Sequence, residues 1–346
     1  MKARLFFLML IFANLMLQAQ DRNDKTPFLA KSLANESIRK VQVSSTGGNI
    51  SVSGVSSSEA RVEVYVWPSN SNNRMSDEEI KKRLDEDYEL SISVEANTLT
   101  AIAKPKFKDM NWKKSLSISF KVFAPQNIST HLRTSGGSIS LKNISGNQDF
   151  STSGGSLHID QLSGQIQGRT SGGSIDISNS RDEIDMETSG GSIEASNCSG
   201  NVTLTTSGGS LYLKELQGTI KATTSGGSIN GNNISGSLRA HTSGGNVYLS
   251  ELNCGLETST SGGNIDVAMK GLSKEIRIDN SGGNISLEIP KNKGADLRLN
   301  ADKITMDSFE NFAGSKEDDQ VNGKLNGGGV PVVVKAGSGR IHLSIK

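Results

Sequence analysis

Cysteine is nearly missing from this chain: Cys198 and Cys254 are the two among 346 residues, too few for the disulfide framework that holds small exported domains together. Aromatic residues amount to 5%, so the interior cannot be a cluster of bulky rings, and the 38 glycines describe a chain of many turns instead. Neither sign of charge dominates. The formal charge is +1, and −1 once Lys2 and Arg4 are removed, which excludes the basic field expected of a protein for nucleic acid or anionic membrane. Beyond the first twenty residues no apolar run approaches the roughly 20 residues of a membrane-spanning helix.

The one long apolar run lies at the start. Lys2 and Arg4 precede an uncharged stretch from Leu5 to Leu17, followed by Gln18-Ala19-Gln20 and then Asp21. A basic start, a short apolar segment and a small residue at the cleavage point make a signal peptide, with cleavage expected after Ala19. No cysteine follows that could carry a lipid. The mature protein is therefore expected to be exported, whether to the periplasm, the cell surface or the medium, and to be a monomer without a transmembrane segment.

What the sequence has in abundance is a repeat. Gly-Gly pairs begin at Gly136, Gly154, Gly172, Gly190, Gly208, Gly226, Gly244 and Gly262, always 18 residues apart, and the next, Gly282, comes after 20. An earlier copy, Thr46-Gly47-Gly48-Asn49-Ile50, stands apart. After each pair come Ser or Asn and then alternating apolar residues, such as Ile175 and Ile177 or Leu211 and Leu213. The second half of each unit alternates too and ends on a recurring Thr, for example Thr188, Thr206 and Thr224. Period two means strand. With a second punctuation at Ser145-Gly146, Ser163-Gly164 and Ser199-Gly200, each unit holds two strands and two turns. Such units stack in register as an all-β parallel solenoid, because a lone coil buries too little apolar surface to offset the entropy of its own backbone. The paired glycines are expected to supply positive φ angles at the corner.

Outside 127–290 the period is lost. The chain is expected to divide into a signal peptide (1–19), a linker (20–37), an N-terminal β-rich cap with one short helix (38–126), the 18-residue-repeat solenoid (127–290) and C-terminal capping strands (291–346). Ser76 with Glu79 marks the start of the helix as a capping box. A final glycine corner is expected at Gly327-Gly328-Gly329.

The TSGGSI unit running down a signal-peptide-bearing chain, with VEVYVW before it and LNGGG after it, resembles the bacterial "putative adhesin" family of β-strand repeat proteins. The likeness covers roughly residues 38–346. It implies a β-solenoid at the cell envelope, adhesin-like in role, with no catalytic motif to carry over.

The residues themselves offer little chemistry. A phosphate loop would occur once, before a helix, and calcium-binding β-rolls need an Asp after the glycines; neither pattern is present, and no metal or cofactor is expected. Asp176, Asp182, Glu183, Asp185, Glu187 and Glu194 crowd two coils. Asp185 and Glu187 could flank a substrate, as in polysaccharide-cutting β-helices, but a solvated face beside Arg169 and Arg181 is the expected reading. His158 and His241 are expected in outward columns without a Ser or Cys partner. Cys198 falls in the column of Ile144, Leu162, Leu216 and Ile234 and should be buried; Cys254, three coils on and in a turn, is too far away to pair with it. Asn-x-Ser/Thr at Asn143, Asn197, Asn201 and Asn233 is a by-product of the repeat.

Tyr212 and Tyr248 share an outward column, with Asn230 between them and Asn232 beside it. Rings at regular spacing on a flat sheet can stack on sugars while amides hydrogen-bond, so these four residues are the expected ligand site. The function expected is a non-enzymatic scaffold that binds a glycan, matrix or extracellular protein. An envelope-associated regulatory or stress-response binding protein comes second and a polysaccharide-active β-helix enzyme third.

Overall fold

The computed structural model describes residues 26–70, 75–107, 115–307 and 311–346; the expected leader and its cleavage point lie outside them. The chain is a parallel β-solenoid. One coil shows the logic: Ile175–Ser178 buries Ile175 and Ile177, the backbone bends, and Arg181–Thr188 buries Ile184, Met186 and Thr188. The same positions 18 residues later pair with them in parallel, Ile175 with Ile193 and Ile184 with Val202. Every coil thus sits on the next at the inter-strand spacing of about 4.8 Å, and the inward residues of all coils form one continuous apolar column. The two extra residues before Gly282 bulge at the second turn, where Leu272 tucks into the core.

The glycine corner works differently from the sequence expectation. None of the Gly-Gly pairs from Gly136 to Gly283 has a φ in the left-handed region. The second glycine is required by close approach instead: a Cβ on Gly209 would lie 2.1 Å from the carbonyl oxygen of Gly191 in the coil before, and one on Gly155 2.0 Å from that of Gly137. The first glycine meets no such obstacle, its nearest atom being 3.4 Å away at Gly208. Positive φ angles belong to the second turn. There Asn143, Gln161, Asn179, Asn197, Glu215, Asn233 and Glu251 lie between 51° and 60°, and Gly146, Gly164, Gly200, Gly218 and Gly236 between 103° and 124°. Asn tolerates this region better than most residues, which is why the repeat generates Asn-x-Ser at Asn143, Asn197 and Asn233.

Two side-chain ladders tie the corners together. The hydroxyl of Thr206 donates to Gly191 O of the preceding coil at 2.8 Å and accepts the N–H of Gly209 of its own at 3.3 Å. Thr152, Thr170, Thr188, Thr224, Thr242 and Thr260 repeat the bridge, and at Asn280 an amide replaces the hydroxyl. These side chains are buried, so a residue with both donor and acceptor capacity is needed at each. The Ser or Asn after the glycines forms the second ladder by accepting the N–H of its counterpart one coil on, as Asn246 does for Asn264 at 2.7 Å.

The stack extends past the visible repeat at both ends. Lys40–Ser45 and Ile50–Val55 form a coil directly beneath the first repeat, Ser45 with Thr134 and Ile50 with Ile139 in register, so the copy at Gly47-Gly48 is a member of the solenoid rather than separate from it. Ser45 takes the part of the recurring Thr, bridging Ile118 O and Gly48 N. Thr98–Pro105 and Leu116–Pro125 stack below as a further coil. Antiparallel strands then close this end, Tyr88–Glu95 on one side and Arg61–Pro68 on the other. Leu29–Ser32, expected in a linker, adds antiparallel to Arg61–Pro68. The helix spans Asp77–Asp87, with Ser76 Oγ accepting from Glu79 N at 3.2 Å.

At the far end the chain order is interchanged. Val330–Ala336 and Arg340–Ile345 insert between the coil of Ile276–Ile289 and that of Ala295–Asn300 and Lys303–Met306. The coil corner here is Gly337 to Gly339, whose Gly339 would place a Cβ 2.3 Å from Gly283 O. Gly327-Gly328-Gly329, expected as that corner, is instead the left-handed connection between Gln320–Leu325 and Val330–Ala336.

Candidate functional site

The solenoid offers two outer faces, one following the glycine corner and one preceding the recurring threonines. On the first, Glu194, Tyr212, Asn230, Tyr248 and Asp266 occupy one register position in five consecutive coils. Alternation aims them outward: their neighbours Leu211, Leu213, Val247 and Leu249 are at most 3% exposed, while Tyr212 and Tyr248 are 46% and 44% exposed. Two coil steps separate the rings by about 10 Å. Lys214, Asn232 and Ser250 form the neighbouring column in the same coils.

The two rings stand above shorter side chains, Asn230, Asn232, Ser250 and Ala268, and so wall an open groove of about 700 Å³. The four residues expected as the site all line it. Asn232 Nδ2 donates to Ser250 Oγ at 2.9 Å; among the described residues neither the Asn230 amide nor either tyrosine hydroxyl has a protein partner. Lys214 leans on Glu215 at 3.7 Å and Glu288 is held by Lys346. Sequence reasoning missed Lys214, Ser250, Glu194 and Asp266; counting 18 residues from each tyrosine finds Glu194 and Asp266, and the strand period of two finds Lys214 and Ser250.

The other face carries mixed charge whose members satisfy one another. Glu187 accepts from Arg169 Nε at 3.0 Å, Asp185 from Gln167 Nε2 at 3.3 Å, Glu183 from Asn201 Nδ2 at 2.6 Å, and Asp182 from Gly164 N at 2.9 Å. Met186 between Asp185 and Glu187 is buried. Those four carboxyls are thus rungs between coils, each with a partner, while Asp176 and Glu194 of the acidic crowd lie on the first face, in the column of Tyr212. A second groove on this face, about 520 Å³, holds Lys221, Lys274 and the pairs Arg239–Glu257 at 2.6 Å and Arg277–Glu275 at 3.2 Å. Nearer the N-terminus, burial pushes the Asp149 carboxyl up, but Arg133 at 2.7 Å and His131 at 2.9 Å outweigh it and hold it below its ordinary value.

His158 faces Asp176 at 3.0 Å, but His241, expected without a Ser partner, has one: its Nδ1 lies 2.8 Å from Ser259 Oγ. The contact arises because register places position 241 directly beside position 259. It is an exposed rung rather than a nucleophile and base. The strand carrying Ser259 is paired on both sides, so its backbone N–H groups are committed to the ladder and cannot form an oxyanion hole. No group of three or more His, Cys, Asp or Glu among the described residues is arranged to hold a metal ion.

Both cysteines are free and buried. Cys198 occupies the core column expected of it, which Leu252 fills three coils on, and Cys254 lies at the second turn, in register with Gly236 and buried there. Burial pushes the Cys254 thiol up to about 11 and the Cys198 thiol up as well.

The fold thus defines the class, a parallel β-solenoid of stacked 18-residue coils closed at its ends by antiparallel strands. No protein-family model and no curated protein matches the chain. It is similar to two solved structures. One is described as a "putative cell adhesion protein" from Clostridium sporogenes, at 13% identity over 93% of this chain and 100% of that one, with a TM-score of 0.20. The other is a "putative adhesin" from Bacteroides fragilis, at 13% identity over 91% of this chain and 95% of that one, with a TM-score of 0.25. No helix among the described residues is long and apolar enough to cross a membrane.

Proposed function

We propose that the chain is a non-enzymatic, adhesin-like scaffold, exported after loss of residues 1–19, whose tyrosine groove binds a glycan or an extended segment of a matrix or extracellular protein. The observation that carries this reading is the pair of exposed rings two coils apart, with the Asn230 amide between them left without a partner among the described residues. Rings on paired strands cannot collapse onto each other, so their faces stay open to a ligand at no cost in rearrangement. The spent backbone donors and the paired carboxylates of the other face support a binding role over a catalytic one.

An array of glycans and extracellular proteins probed with residues 20–346 tests the reading. Replacing Tyr212 and Tyr248 together by Ser should weaken any captured ligand at least tenfold, about 1.4 kcal/mol. The melting point should hardly move, because the rings project from the face rather than fill the core. Unchanged affinity in the folded double variant would reject the groove. It would favour instead a regulatory partner bound at the N-terminal end, where Leu29–Ser32 pairs on one side only among the described residues and Phe28 and Leu29 are 42% and 39% exposed.

A further inference from the structure

Resting on that reading, we infer that the groove takes an extended polysaccharide lying along the stack axis, and that its chemical class is amine-bearing rather than uronic or sulfated. The direction follows from register. Glu194, Tyr212, Asn230, Tyr248 and Asp266 are collinear across five coils, so a ligand touching both rings runs across the strands, parallel to the long axis. The rings repeat every second coil, about 10 Å, which is also the advance of two pyranose units in an extended β-1,4-linked chain. Alternate sugars then meet a tyrosine face, and the sugar between them meets the Asn230 amide, whose donor and acceptor are both unspent.

Charge selects the class. Glu194 and Asp266 stand one coil beyond Tyr212 and Tyr248 at opposite ends of the row, and neither has an ion-pair or hydrogen-bond partner among the described residues. The other charged groups of the groove are occupied, Lys214 by Glu215 and Glu288 by Lys346. Each free carboxylate stands on the strand next to a ring, one coil step of about 5 Å along the stack, well inside the Debye length of about 8 Å in physiological salt. A ligand seated on the tyrosines feels two negative charges, one at each end, and no free positive one. Ammonium groups on the sugars complement that field, while carboxylates or sulfates are repelled by it.

Calorimetric titration of residues 20–346 in mildly acidic, low-salt buffer would compare three hexamers of β-1,4-linked sugars: glucosamine, N-acetylglucosamine and mannuronate. The glucosamine hexamer should bind at least tenfold tighter than its acetylated form, and mannuronate should show no heat. The gap should close in high salt and in the variant E194Q/D266N, but persist in D185N/E187Q, whose lost charges lie on the other face. A glucosamine dimer, too short to reach both rings, should lose most of the affinity. Equal binding of the two hexosamine chains, tighter binding of mannuronate, or a gap that D185N/E187Q closes equally would overturn the inference and leave the tyrosine groove standing. Full binding by Y212S/Y248S would overturn the groove itself.

Discussion

Placing one methyl group at each glycine of a pair in turn is the sharpest test of how the coils are held. In Gly209→Ala the new Cβ would sit 2.1 Å from Gly191 O, 2.4 Å from Gly191 C and 2.6 Å from Ser192 N. All three are backbone atoms of a coil locked by parallel pairing on both sides, so relief requires the two coils to part by more than about 1 Å against a spacing of about 4.8 Å. That separation stretches the Thr206 bridge and the neighbouring ladder bonds together, and the cost should exceed the roughly 1–3 kcal/mol usual for overpacking. In Gly208→Ala the nearest atom is 3.4 Å away, ordinary contact, and φ is not in the left-handed region. Its cost should stay within about 1 kcal/mol. Urea titration followed by circular dichroism should give Gly208→Ala a midpoint close to that of the parent. Gly209→Ala should show a much lower midpoint, or an early partial transition as the stack divides at that interface. If Gly208→Ala is the more damaging of the two, or both are harmless, the close-approach account is wrong.

Thr206→Val keeps the shape but strands Gly191 O and Gly209 N; it should cost about 1–3 kcal/mol by urea titration, and Thr206→Ser should recover most of that. In native protein at pH 8 a thiol reagent should find neither cysteine, and in denaturant it should find two, since both are free and buried. Because burial raises the Cys254 pKa from 9.0 to about 11, the folded state holds its proton more tightly than the unfolded state. The stability this contributes is complete below pH 9 and is lost as pH rises towards 11, and Cys254→Ala should flatten that part of a melting-point profile. Deleting residues 330–346 removes the coil that covers Ile276–Asn280 and Ile285–Ile289, so the truncated chain should aggregate on light scattering even though the whole visible repeat remains.

Much of the architecture was legible along the chain because a solenoid makes near neighbours in sequence near neighbours in space. An 18-residue step in sequence is one coil step in the fold, so the strands, the inward columns, the outward tyrosines and the burial of Cys198 follow from counting. The Ser76 cap is equally local. Counting fails where the order of strands in space departs from their order along the chain. Lys40–Ser45 reaches position 129 and Ala295–Asn300 reaches position 330, and nothing in the period announces either pairing. The role of the second glycine is likewise invisible from one strand, since the atom that forbids its Cβ belongs to the previous coil. The same holds for the thresholds of charge around the groove: Glu194 and Asp266 remain free and Lys214 and Glu288 are occupied only because of which side chains the stack sets beside them. The sequence by itself determined the coil, its period and its faces, because those depend on local alternation and turn chemistry. The tertiary structure alone decided how the ends interlock, why the second position of each glycine corner excludes a Cβ and which groups stay unpaired, because those depend on contacts between separate strands that the alternation within one strand does not show.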